Sequence, residues 1–122
     1  MTLDEFRKWW ESATPRERNA KVAELVMGWE RADGVWSGCN THCARFYHEW
    51  RPTTDIAAAA ELVGALPDYV WEIKQRPGSS WVVYIARLIG NTVCPPVQAV
   101  AATEPEARSL AACLAKIAEG ES

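Results

Sequence analysis

Residues Tyr69 to Leu88 read YVWEIKQRPGSSWVVYIARL. In the first half, Tyr69, Trp71 and Ile73 point one way, while Glu72, Lys74 and Arg76 point the other. This is the period of two expected of a strand with one buried face. Pro77-Gly78-Ser79-Ser80 supplies turn residues, and Trp81 to Leu88 is a second strand, nearly apolar on both faces. Strands joined by so short a turn pair antiparallel. A strand that is apolar on both faces needs cover on both, either from a helix layer on each side or from a partner subunit.

Outward from this hairpin the chain reads as helices. Thr2 with Glu5, Thr14 with Pro15 and Glu17, and Thr103 with Glu106 are three capping-box signatures. They predict helices over about Leu3 to Glu11, Pro15 to Met27 and Glu104 to Ala118, with Gly28 ending the second. Thr53-Thr54-Asp55 opens an Ala-rich helix over Ile56 to Leu66, whose expected buried stripe is Ile56, Ala59, Ala60 and Val63, and Pro67 stops it. On the last helix the expected stripe is Ala107, Leu110, Ala111, Leu114 and Ile117, with Cys113 at its flank. Gly90 to Pro96 reads as a loop, Val97 to Ala101 as a short third strand, and residues 28 to 52 as irregular. The expected fold class is α/β (α+β): a small antiparallel sheet flanked by helices, an alpha-beta-alpha sandwich. Residues 15–118 would form the domain and 1–14 an N-terminal helical extension.

The 122 residues suffice for one core, and 48% hydrophobic with 24% charged residues excludes a wholly disordered chain. Thirteen Lys and Arg stand against sixteen Asp and Glu, so an electropositive face for duplex nucleic acid is not supplied cheaply. The order helix-strand-strand-strand-helix is also that of double-stranded-RNA-binding domains. Here, however, the last helix opens Thr103-Glu104-Pro105-Glu106, which repels phosphate, so nucleic acid is disfavoured as a partner. Asp4, Glu5, Arg7 and Lys8 break up any signal-peptide pattern, and no run reaches the length of a membrane span. The sequence therefore reads as cytoplasmic, with no membrane partner. Its four cysteines read as thiols or ligands rather than as a disulfide frame. Phosphate-loop, dinucleotide-fingerprint, HExxH and GxSxG motifs are absent.

Ala20 to Trp29 (AKVAELVMGW), Arg51 to Leu66 (RPTTDIAAAAELVGAL) and Ala111-Ala112-Cys113-Leu114 resemble the phage ABA sandwich domain family, small proteins encoded by phages and prophages. The resemblance covers about Lys21 to Lys116, and Pro-Thr-Thr-Asp-Ile-Ala-Ala-Ala is its most specific part. It implies a sheet sandwiched by helices, a phage or prophage setting and no particular chemistry. Ala32 to Tyr47 departs most from the family pattern.

Two constellations carry candidate chemistry. Arg45, His48 and Arg51 precede Thr54 and a helix N-terminus, a setting that favours an anion. Trp36, Tyr47 and Trp50 are near enough in sequence to stack on a ring, and together these seven residues would make a small-nucleotide site. Against this, Asp55 can itself neutralise the helix end. Cys39, His42, Cys43 and His48 have thiolate and imidazole spacing suited to zinc, but half of a four-ligand set is missing. A third cluster, Glu72, Lys74, Arg76 and Arg87, reads as a solvated strand face. No pair of residues is set up for acid–base chemistry, so the chain reads as a binder rather than an enzyme. Seven Trp in an acidic chain favour an interface or a ring-stacking pocket. The expectation is a homo-oligomeric phage accessory protein that captures a small nucleotide-like ligand. The alternatives are a module that blocks a host protein and an uncharacterised structural or dsRNA-binding-like protein.

Overall fold

The structure is a computed structural model and describes residues 1–32, 35–37, 45–46 and 50–121. Helix α1 spans Leu3–Ser12 and α2 Pro15–Val22; the chain continues into one wider π-turn over Ala23–Met27. Both Thr2 and Thr14 form the reciprocal capping box with the Glu three residues on. Gly28, at φ 71°, ends the turn in the left-handed conformation that glycine adopts without a Cβ penalty.

Three short strands follow, β1 (Glu30–Ala32), β2 (Val35–Ser37) and β3 (Arg45–Phe46), in a small antiparallel sheet of that order. The segment read as irregular therefore holds a ladder. Strands of two or three residues are too short to show a period in sequence.

Helix α3 (Ile56–Ala65) is capped by Asp55, whose carboxylate accepts from the Ala57 amide at 3.0 Å. Strands β4 (Tyr69–Gln75), β5 (Trp81–Ile89) and β7 (Val97–Ala101) form the main antiparallel sheet with β5 central, and β6 (Thr92–Val93) folds back on the end of β5. The predicted loop before β7 thus carries a two-residue strand. The β4–β5 turn closes with the Arg76 amide donating to the Ser80 carbonyl at 2.7 Å; Gly78 and Ser79 both take positive φ there.

Helix α4 (Glu104–Glu121) lies directly on β5 and β7, and α1, α2, the π-turn and α3 pack around it. The protein is thus a mixed α+β fold with an antiparallel sheet flanked by helices. Contact on two sides explains why Ala107, Leu110, Ala111, Ala112, Cys113, Leu114 and Ala115 are all buried. Cys113 is a core residue rather than a flanking one, because α3 and the π-turn cover the side of α4 away from the sheet. Small Ala side chains let both neighbours approach closely. Phe6 and Trp10 of α1 join the same core, as do Val22, Val26, Val83 and Ile85.

On α3 the buried residues are Ala58, Ala59 and Leu62, with Leu66 just beyond its end; Ile56, Ala60 and Val63 are exposed. The buried stripe is rotated from the predicted one. IAAAAELVGA is apolar nearly all round, so periodicity alone does not choose its face.

Candidate functional site

Strand β5 outruns β7. Its ladder with β7 stops at Ile85↔Val97, whereas its ladder with β4 continues to Tyr69↔Arg87. The Cys94 amide donates to the Arg87 carbonyl at 2.8 Å and ties down the connection to β7. Over this open corner passes the last turn of α4. The result is a cleft of about 280 Å³ walled by Ile85, Ile89, Pro95, Val97, Ala115 and Ala118, with Tyr69, Arg87, Cys94 and Glu119 completing it. Ala115 and Ala118 leave the room that larger side chains would fill.

Three polar groups converge on the Glu119 carboxylate at one end. The Tyr69 hydroxyl donates to Glu119 Oε2 at 2.8 Å, Arg87 Nη2 lies 3.9 Å from Oε1, and Lys116 Nζ lies 3.5 Å from Oε2. The hydrogen bond from Tyr69 holds the Glu119 carboxyl below its ordinary range, and the two cations add to this. Burial, then the bond to Glu119, pushes the Tyr69 phenol up to about 12. At neutral pH the end of the cleft therefore presents a fixed carboxylate, a protonated phenol and the Arg87 cation, while Lys116 meets the carboxylate from outside the lining. General acid–base catalysis wants groups tuned toward neutrality; these two are tuned away from it. The arrangement is suited to holding polar groups of a ligand while apolar walls hold its body.

A second hollow, of about 680 Å³, lies between α1, α2 and β7, lined in part by Arg7, Arg18, Gln98 and Glu106. It is roomier, but Arg18 is paired with Glu106 at 2.8 Å, and Arg7 donates to the Gln98 carbonyl at 2.8 Å. Its charged groups hold the fold together.

Of the residues predicted to form the anion and ring site, Trp50 is 3% exposed. Its indole N–H donates to Glu61 Oε2 at 2.9 Å, and its ring lies 4.7 Å from that of Trp29, tilted by 58°. Trp50 thus packs in the core. Arg51 and Thr54 are exposed in the turn before α3, where the Arg51 carbonyl accepts from the Thr54 and Asp55 amides. Trp36 and Arg45 stand opposite one another in the β2–β3 ladder. Tyr47 and His48 lie outside the described residues, as do Cys39, His42 and Cys43 of the zinc expectation. Among the described residues no group of three or more His, Cys, Asp or Glu is placed to hold a metal.

Arg87 does not join Glu72 and Lys74. It shares the parity of Val83 and Ile85 and so faces α4, which is the signal in the sequence that would have separated it. In the sequence Tyr69 is one of three alternating residues on one face of β4, and Glu119 falls just beyond the predicted helix end. Their meeting depends on α4 running to Glu121.

A family model for the phage ABA sandwich domain matches residues 20–113. The chain belongs to the phage ABA sandwich domain family. That match includes Tyr69, Arg87 and Cys94 of the cleft and stops short of Lys116 and Glu119. A crystal structure of a phage protein from Bacillus cereus ATCC 14579 is similar in fold, with a TM-score of 0.61 and 18% identity over 84% of this chain and 92% of that one. No curated protein matches the chain. Among the described residues no helix of this phage ABA sandwich protein is long and apolar enough to cross a membrane.

Proposed function

We propose that this phage ABA sandwich protein is a phage or prophage accessory protein that acts by binding, and that the cleft between β5 and the end of α4 captures a small nucleotide-like signal. The observation that carries this reading is the Tyr69–Glu119–Arg87 cluster at the end of an apolar cleft. A flat ring of nucleobase size fits a space of about 280 Å³. Ring N–H groups would donate to Glu119, and Arg87 would meet a phosphate. With both titratable partners moved away from neutrality, the site holds its ligand without turning it over.

Native mass spectrometry of the full chain purified from bacterial cytosol tests this. The expected result is an added mass of a few hundred daltons that Glu119→Gln and Arg87→Ala each remove while the far-UV spectrum stays unchanged. A ligand-free wild type that also fails to bind a panel of nucleotides overturns the reading.

A second reading, a module that blocks a host protein, draws on the exposed apolar stripe of α3, where Ile56 is 47% and Val63 40% exposed. A host protein co-purifying with the wild type, and lost with Ile56→Asp, would favour it.

A further inference from the structure

The face of the main sheet turned away from α4 carries Val70, Glu72 and Lys74 on β4, Val82, Tyr84, Ala86 and Leu88 on β5, and Gln98 and Val100 on β7. No described helix lies across its centre. Val70 is 49%, Leu88 38% and Val100 42% exposed, Tyr84 and Ala86 are half-buried, and Val82, at 3%, is already covered by its neighbours. Contiguous exposed apolar surface on a sheet marks a contact surface. The relief of this face is specific. Val70, Ala86 and Pro96 bound one side of a hollow of about 250 Å³, and Tyr84 with the Glu72–Lys74 pair bounds the other. The charges are specific too. Lys74 is exposed toward one end of β4, where its Nζ also meets Glu72 Oε1 of the same strand at 2.8 Å. Asp68 is exposed just before the other end, where its carbonyl accepts from the Leu88 amide at 2.7 Å.

We infer that this face is covered by a second copy of the chain, related by a two-fold axis that crosses the strands between Tyr84 and Ala86. One axis satisfies two features at once. It lays the two β5 strands antiparallel, so that Tyr84 of each copy fills the hollow at Ala86 of the other. Counting three steps each way along β4 brings Lys74 of each copy to Asp68 of the other. This is the self-complementarity that an isologous contact requires, and two sheets packed at about 30° keep such neighbours within side-chain reach.

The size is adequate. Strands about 4.8 Å apart with a rise of about 3.3 Å per residue give a face of roughly 350 Å² in projection. With side-chain relief this is about 500 Å² or more of accessible surface per copy, which reaches the roughly 1,000 Å² in total expected of a specific interface. The buried second face of β5 is then supplied by the partner's sheet.

Sedimentation equilibrium of the full chain, from about 10 to about 100 µM, tests this. The expected mass is that of two copies or a multiple of two. Lys74→Glu sets like charges against Asp68 and is expected to weaken association about tenfold or more. Asp68→Lys alone is expected to do the same, and the double variant D68K/K74E to restore it to within a few-fold. Both positions are exposed, and far-UV spectra check that each variant is folded. A single-copy mass for the wild type throughout the range overturns the proposal. So does association that Lys74→Glu leaves unchanged, or that the double variant fails to recover.

Discussion

The side-chain Oδ1 of Asn19 accepts two hydrogen bonds from Thr53, one from its amide at 3.1 Å and one from its hydroxyl at 2.7 Å. Both residues are buried. Beside them the Ser109 hydroxyl donates to the Pro52 carbonyl at 2.8 Å, also out of solvent. These bonds tie α2 and α4 to the segment before α3 and satisfy polar groups that would be costly to bury alone. Asn19→Ala strands both Thr53 donors and is expected to cost about 2–3 kcal/mol in urea unfolding, against about 1 kcal/mol for Thr53→Val, which keeps the amide bond.

The Arg18 guanidinium donates to the Trp10 carbonyl at 2.8 Å and to Glu106 at 2.8 Å, and stacks 5.3 Å from the centre of the Trp10 ring. A lysine cannot reproduce that fork. Arg18→Lys is therefore expected to lose about 1–2 kcal/mol, most of the loss seen for Arg18→Ala, when measured by chemical denaturation. The same pairing diverts Glu106 from its cap. Thr103 still accepts from the Glu106 amide at 3.4 Å, but the carboxylate is bound by Arg18.

The Tyr69–Glu119 bond makes stability depend on pH at both ends of the scale. Glu119 is depressed below its usual 4.5, so its contribution is present above that pH and is lost as pH falls through the folded value. Tyr69 is raised from 10.0 to about 12, so its contribution is present below pH 10 and is lost as pH rises through about 12. The stability difference between wild type and Tyr69→Phe is expected to be flat through neutral pH and to shrink toward both extremes. A difference that grows on acidification would contradict this assignment.

Cys113 is fully buried, and burial pushes its thiol above the usual range, whereas Cys94 is half-buried in the wall of the cleft. Thiolate availability and access control alkylation. Peptide mapping after iodoacetamide treatment of the native protein is expected to find Cys94 labelled and Cys113 unlabelled, with Cys113 reacting only in denaturant.

Ala118 lines the cleft near the end of α4. Ala118→Leu places a larger side chain in that space without breaking the helix, since Leu has nearly the helix propensity of Ala. The expected outcome is loss of ligand binding by calorimetry with a melting temperature at or above that of wild type.

Much of the architecture was legible in local chemistry. Thr2 and Thr14 start their helices as read, because a capping box satisfies its own donors whatever surrounds it. The β4–β5 hairpin follows from alternation and one turn. The resemblance carried by Arg51 to Leu66 placed the family correctly. The cleft was not legible: Tyr69, Arg87 and Glu119 are harmless singly, and a signal existed only in the strand parity of Arg87. Helix α4 was expected to stop at Ala118, since Glu119-Gly120-Glu121 carries no apolar stripe. The bonds from Tyr69 and Lys116 hold Glu119 in the added turn.

The sequence by itself determined where the helices start, how the hairpin pairs and which strand is apolar on both faces, because caps, turns and alternation act between residues close in the chain. Only the tertiary structure decided which side of the nearly all-apolar α3 is buried, that Trp50 and Cys113 belong to the core, and that the end of α4 closes a cleft over Arg87. Those outcomes depend on which surfaces meet, and burial free energy has no direction until an opposing surface is in place.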